Sequence, residues 1–196
     1  MIIRELNVDF LSASAHKFNG AKGTGFLYKR SGLTLPKMVF GGEQEHNERA
    51  GTENVAGIVA LGCALDESVT IMAEERIKQT ALVHDTVSGL KSAIPDIIVN
   101  AEFAERLPGT INITFPSASG ESLMHLLDLK GICVSTSSAC NSGKDEPSHV
   151  LLAIGLSEQQ AKSSIRISFG RYNKSEDANL IVAAICAAYG KIVASQ

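Results

Sequence analysis

Between Asn54 and Ala93, the apolar residues Val55, Ile58, Leu61, Leu65, Ile71, Ile77, Leu82, Val83, Val87 and Leu90 recur at helical spacing. Ala, Glu and Lys, which favour helices, fill the positions between them. The pattern predicts one long helix, or two joined end to end. Pro95 stops it, because proline supplies no amide hydrogen and restricts the residue before it. A helical rod, in one piece or two, therefore follows the turns upstream of it.

Upstream, Val8–Ala13 and Gly25–Tyr28 read as short strands of an inner sheet, separated by a turn around Gly20 to Gly23. Downstream, Ile97–Val99 and Thr110–Phe115 have strand character, Ser122–Leu129 reads as a helix and Ile132–Ser135 as a strand. Pro147–Ile154 reads as a short helix and Ser164–Phe169 as a strand. A closing helix covers Glu176–Val193, with Ser175 or its neighbour as cap. The order describes an α+β module behind the end of a larger α/β domain, divided at residues 1–93 and 94–196. Two strands in the first thirty or so residues are too few for the covered sheet of an α/β domain. No internal repeat, long linker or low-complexity segment competes with this organisation.

The formal charge is −3, from 18 basic and 21 acidic residues, which gives no reason to expect a polyanionic partner. The cysteines Cys63, Cys133, Cys140 and Cys186 form no CxxC pair, which argues against a structural metal. No leader-like segment or uninterrupted apolar run of membrane-spanning length is apparent. These features together describe a reduced cytoplasmic protein that makes no use of a membrane.

Chemistry-bearing residues gather in four places. Lys17 stands between a strand and a glycine-rich turn. An isolated lysine is ordinarily a solvated charge, but this setting suits a Schiff-base amine. Ser14, His16 and the backbone donors of Phe18 to Gly23 are placed to hold a phosphate while the amine meets an aldehyde. Lys22, between Ala21 and Gly23, fits a tight turn better. The block Gly41–Glu45 and Arg49–Asn54 reads as a loop and N-cap, and Thr52 offers a hydroxyl and an amide to a phosphate near the helix start. Arg49 is there either a surface charge or a partner for a carboxylate or phosphate.

Cys140 lies in a Ser- and Gly-rich loop, Ser135 to Gly143, suited to an exposed and movable thiol. Cys133 in its strand and Cys63 and Cys186 in helical patterns are expected in the core. Arg166, between Ile165 and Ile167, is either a structural ion-pair partner or a bidentate holder of a carboxylate. Arg171 reads as a solvated strand-end charge.

The segments Ser14–Ala15–His16–Lys17 with Gly20 and Lys22–Gly23, Gly41–Gly42–Glu43–Gln44–Glu45 to Arg49–Ala50–Gly51–Thr52–Glu53–Asn54, Ser138–Ala139–Cys140, Glu146 to Leu151, and Ser164–Ile165–Arg166–Ile167–Ser168 resemble those of cysteine desulfurases of the class V aminotransferase family. The short cysteine loop resembles the nitrogen-fixation and iron–sulfur-assembly branch. Related enzymes are about twice as long, and this chain resembles their C-terminal half. The implied architecture is α/β, the C-terminal part of the fold type I pyridoxal-phosphate-dependent transferases, with an incomplete large domain and an α+β small domain.

The resemblance implies a pyridoxal-phosphate-dependent enzyme that converts L-cysteine to L-alanine and holds the sulfur as a persulfide for iron–sulfur cluster or thio-cofactor synthesis. Lys17 would carry pyridoxal 5'-phosphate and later move a proton. Ser14 and His16 would contact its phosphate, and Thr52 would reach the phosphate in a neighbouring subunit. Arg166 would hold the substrate carboxylate, and Cys140 would take the sulfur. The implied partners are a second copy or a missing large-domain half, and an iron–sulfur scaffold or other sulfur acceptor. No residue here is assignable to the group stacked on the cofactor ring or to the aspartate on its pyridine nitrogen, both of which the relatives' upstream half supplies. Ala21 stands where many relatives have proline. A different reading is a truncated, non-catalytic dimerisation or sulfur-relay module. Another pyridoxal-phosphate enzyme, a selenocysteine lyase or an aminotransferase, is disfavoured by the joint presence of the cysteine loop and the lysine motif.

Overall fold

A computed structural model describes residues 3–136 and 146–196, with the side chains of residues 3 and 4 left aside. The chain forms two compact units, Met1–Met72 and Ala73–Gln196, in a mixed α/β architecture with two open sheets.

The first unit opens with a one-turn helix, α1 (Ile3–Leu6), followed by β1 (Phe10–Ser14) and β2 (Gly25–Lys29). These strands pair antiparallel with each other, from Phe10 opposite Lys29 to Ser14 opposite Gly25. Among the described residues no third strand joins them, so the inner sheet expected from sequence is a two-stranded hairpin that leaves Phe10 and Leu27 exposed. The four-residue turn α2 (Gln44–Asn47) has left-handed backbone at Glu45, His46 and Asn47, with φ of 51°, 56° and 66°.

The rod is a single helix, α3 (Val55–Ala93), of 39 residues, which settles the choice between one helix and two. It ends ahead of Pro95, as expected. Its cap is Asn54, whose Oδ1 accepts from Gly57 N at 3.1 Å and satisfies an otherwise orphaned first-turn donor.

In the second unit, β3 (Ile98–Val99), β4 (Thr110–Thr114) and β5 (Ser164–Ser168) form an antiparallel sheet with β4 in the centre. Strand alternation puts Ile111, Ile113, Ile165 and Ile167 on one face, all buried. They share a core with Leu123 and Leu127 of α4 (Gly120–Asp128), Ile181 and Ile185 of α7 (Glu176–Ala194), and Leu82 and Leu90 of α3. Phe115, fully buried, packs its ring 6.0 Å from that of Tyr189.

Two short helices, α5 (His149–Ala153) and α6 (Glu158–Lys162), precede β5, and Ser157 and Gln160 form a capping box on α6. Ile132–Ser135 is not a strand: only Ser135 bridges to the sheet, opposite Arg166. Ser175 makes no capping bond to α7. Asp177 instead accepts from Lys174 N at 3.1 Å and from Asn173 Nδ2 at 2.9 Å, and these bonds, the Asn173 one foremost, hold its carboxyl below the ordinary aspartate range.

By length and composition alone, α3 and α7 are each apolar enough to cross a membrane. Asp66 and Glu67 break the apolar run in α3. The apolar face of α7 is spent on the core through Ala178, Ile181, Ala184, Ile185 and Ala188.

Candidate active site

Ser14 closes β1, and Ala15–Phe18 turn immediately into one 3-10 turn. The turn is pinned at both ends: Ala15 N donates to Thr24 O at 3.0 Å, and Gly20 N donates to Ala15 O at 2.8 Å. Ala15 is fully buried beneath it, and a Cβ on residue 20 would lie 2.8 Å from the Ala15 methyl, so only glycine closes the turn without displacing it. Ser68 Oγ of α3 donates to Phe18 O at 3.1 Å and ties the turn to the helix. The result is a rigid platform with Ser14, His16 and Lys17 exposed together on it.

Thr52 lies in the same unit, in the loop before α3, and is exposed. Because Asn54 is the cap, Thr52 lies two residues before the cap, and the capping bond is made by Asn54. The backbone around it is held by Gln44, whose Oε1 accepts from Gly51 N at 3.1 Å, and by Arg49, whose guanidinium donates to Ala50 O at 2.5 Å. Gly51 has φ of 105°, a conformation that disfavours any side chain. The left-handed turn at residues 45–47 is cross-braced from Lys29 to Glu48 and from Lys37 to Asn47. Each left-handed non-glycine residue costs about 1–2 kcal/mol, so the conformation of this loop is imposed by its surroundings.

Arg166 belongs to the second unit, in the middle of β5. Its flanking residues Ile165 and Ile167 are buried, and its own side chain emerges from the opposite face. Among the described residues it has no side-chain hydrogen bond or ion pair. Arg171 departs from the sequence expectation. It is half-buried, with Nε and Nη2 shielded from solvent and its guanidinium 5.9 Å from the Tyr172 ring centre. Lys78 donates to Arg171 O at 2.7 Å and pairs with Glu75 at 2.5 Å, and that ammonium holds the Glu75 carboxyl below its ordinary range.

Cys140, with Ser138 and Ala139, lies outside the described residues. The remaining cysteines correct the expectation of burial: Cys63 and Cys133 are exposed, and only Cys186 is partly covered, its thiol pushed up by desolvation. Periodicity places a residue on a helix face but does not say whether that face is packed. Among the described residues no cluster of metal-ligating side chains forms.

A family model described as aminotransferase class-V matches residues 1–181. The chain belongs to that family. Within the family, it is 45% identical over 177 residues to the cysteine desulfurase IscS of Dictyoglomus turgidum, covering 90% of this chain and 45% of that protein. It is also 43% identical over 180 residues to IscS of Methanosarcina thermophila, covering 92% and 44%. The NifS-like protein of Rickettsia africae superposes with a TM-score of 0.87 at 33% identity, covering 97% of this chain and 50% of that one. A structure of SspA in complex with cysteine matches with a TM-score of 0.62 at 30% identity, covering 89% and 47%. The chain thus spans about half the length of the class-V relatives it matches.

Asn112, opposite Arg166 in the sheet, escaped the sequence reading along with the buried side chains that hold it. The available signal was the alternation Thr110, Asn112, Thr114 against Ser164, Arg166, Ser168. It becomes legible only once the two strands are known to pair in this register.

Proposed function

We propose that this chain supplies the lysine-, arginine- and cysteine-bearing part of a cysteine desulfurase, which moves sulfur from L-cysteine to Cys140 and leaves L-alanine. The observation that carries this reading is the exposed Ser14–His16–Lys17 platform in a chain of the class-V family. The domain division at residues 1–93 and 94–196 belongs to the same proposal, with a large-domain half or a second copy completing the site.

The donor set suits pyridoxal 5'-phosphate. A primary amine, a hydroxyl and an imidazole stand within four residues on a pinned turn, and none of the three has a side-chain hydrogen bond among the described residues. When bound, that cofactor supplies an electron sink that labilises bonds around the substrate Cα. Lys17 holds the cofactor and then carries a proton at Nζ. Ser14 Oγ and His16 meet its phosphate, while Thr52 serves the phosphate of a neighbouring subunit. Arg166 orients the substrate through its carboxylate, for which a planar guanidinium is the matching fork. Cys140, as thiolate, attacks the substrate sulfur; the S–Cβ bond breaks, its electron pair leaves on carbon and is protonated to give the methyl of alanine, and Cys140 ends as a persulfide that a scaffold or other acceptor collects.

The test restores a large-domain half to the chain, adds cofactor and L-cysteine, and measures alanine together with persulfide by mass spectrometry. Cofactor fixed by borohydride should map to Lys17, and Cys140→Ser should retain it while losing persulfide and nearly all alanine formation. Fixation at Lys22, or unchanged alanine formation by Cys140→Ser, would refute the assignment.

A further inference from the structure

Arg166 is the only residue of β5 whose backbone N–H and C=O both turn to Ser135, donating at 2.6 Å and accepting at 3.1 Å. Those groups therefore point away from β4, and Asn112 with Arg166 is a non-hydrogen-bonded pair of the antiparallel ladder. In such pairs the Cα atoms approach to about 4.5 Å and the side chains are at their closest. The Asn112 amide therefore lies beside the stem of Arg166, on the face away from the isoleucine core.

An amide oxygen in that place is an acceptor that a guanidinium readily engages. Here the oxygen is the end held by another side chain: Asn100 Nδ2 donates to Asn112 Oδ1 at 2.6 Å, which leaves the amide nitrogen, a donor that cannot pair with a guanidinium, as the free end. The direction of that bond follows from its neighbours. Ser164 Oγ donates its one hydrogen to Gln160 O at 2.7 Å, so the 2.8 Å contact between Thr114 Oγ1 and Ser164 Oγ uses the Thr114 hydrogen. Thr114 Oγ1 must then accept from Asn100 Nδ2, at 2.8 Å. With its nitrogen directed there, Asn100 presents donors to Asn112 as well, which turns the Asn112 oxygen toward Asn100. Asn100 is buried, and its own Oδ1 has no partner among the described residues, a cost of keeping the chain in this direction.

We propose that Asn112 is a positioning residue whose captured amide oxygen keeps the Arg166 guanidinium unpaired and available to a carboxylate. The inference rests on the reading of Arg166 as the substrate-carboxylate site. An aspartate at 112 would keep one oxygen on Asn100 and offer the other, charged, to Arg166, closing an internal ion pair in place of the substrate.

Two measurements test this. In the full chain, nitrogen NMR of Arg166 Nε reads rotation about the Nε–Cζ bond, fast for a free guanidinium and slow for a paired one. In the assembly with a large-domain half, kinetics give KM and kcat for L-cysteine. Asn112→Asp should slow the rotation and raise KM about tenfold or more while leaving kcat little changed, and Asn112→Thr, which carries no charge, should leave both near wild type. Slow rotation in the wild type, or unchanged rotation and KM in Asn112→Asp where Arg166→Lys does raise KM, would overturn the proposal. If Arg166→Lys leaves KM unchanged, the carboxylate reading fails and the rotation alone decides the role of Asn112. Should Asn112→Asp not fold, Asn100→Ser releases the Asn112 oxygen toward Arg166 and should slow the same rotation; unchanged rotation there also overturns it.

Discussion

Removing the Ser164 hydroxyl tests the direction of the buried chain from Asn100 to Gln160. In Ser164→Ala, Gln160 O keeps the helical bond from Ser163 N at 3.2 Å, so its loss is small. Thr114 fares worse: it is fully buried, and its hydroxyl hydrogen is left without the acceptor it has at 2.8 Å. An orphaned buried donor costs about 1–3 kcal/mol, and Ser164→Ala should cost that much. Thr114→Val keeps the shape and removes the hydroxyl, leaving Ser164 bonded to Gln160 and Asn100 bonded to Asn112, but it takes the acceptor at 2.8 Å from the second Asn100 Nδ2 hydrogen and should itself cost about 1–3 kcal/mol. The double variant contains no orphaned hydroxyl, so its cost should fall short of the sum by about 1 kcal/mol. Urea unfolding followed by circular dichroism gives the free energies, and amide exchange at Ile113 and Ile165 assigns them to the second unit. Strict additivity, or a Ser164→Ala cost below about 0.5 kcal/mol, would mean that Thr114 does not donate to Ser164.

Two further outcomes follow from single groups. Asp177, with its carboxyl depressed by Asn173 and Lys174 N, contributes stability that is present above the unfolded aspartate pKa of about 3.9 and lost as pH falls through its lower folded value. The gap in urea midpoint between wild type and Asp177→Asn should therefore be open at neutral pH and close in acid; a gap independent of pH would contradict it. Among the thiols, exposed Cys63 and Cys133 should be alkylated well before Cys186, whose partial burial raises its pKa, and peptide mapping of a time course at mildly alkaline pH would show the order.

Segments whose local chemistry decides their structure were legible in the sequence. Pro95 stops α3, and the Lys17 turn follows from a strand running into Gly20 and Gly23. The strands around Ile111 and Ile165 follow from alternation of apolar and polar residues. What sequence left open depends on contacts distant along the chain. The segment Ile132–Ser135 has the composition of a strand, but only Ser135 finds a partner, since Arg166 is where its backbone meets the sheet. Arg171 reads as a solvated charge until Tyr172 and Glu75 are seen beside it. Cys63 sits in a helical apolar pattern yet stays exposed, because periodicity fixes its face and not what covers it. Of the candidate site, Lys17, Ser14 and His16 were legible as neighbours in sequence, whereas the pairing of Asn112 with Arg166 required a register that no local signal supplies.

The two sheets differ in what protects them, and the difference is measurable. In the second unit the β4–β5 amides lie over Ile111, Ile113, Ile165 and Ile167, none more than 2% exposed, so they should open only with the unit as a whole. The β1–β2 hairpin leaves Phe10 and Leu27 exposed at 42% and 56%, and in the part of α3 that belongs to the same unit Val55, Ile58, Val59, Leu65, Val69 and Met72 are exposed as well. The described hydrophobic side chains buried there are alanines, Ala15, Ala50 and Ala64, whose burial contributes little. Local opening of the hairpin should therefore cost several kcal/mol less than opening of β4–β5, and each 1.4 kcal/mol is a factor of ten in exchange. Hydrogen exchange on the dilute chain should find the Leu11 and Tyr28 amides, a hydrogen-bonded pair of the hairpin, exchanging about a hundredfold or more faster than Ile113 and Ile165. Equal protection that persists on dilution would show that burial does not set the stability of the hairpin. Protection of the hairpin alone on adding a large-domain half would show that the added half covers the exposed Phe10 and Leu27.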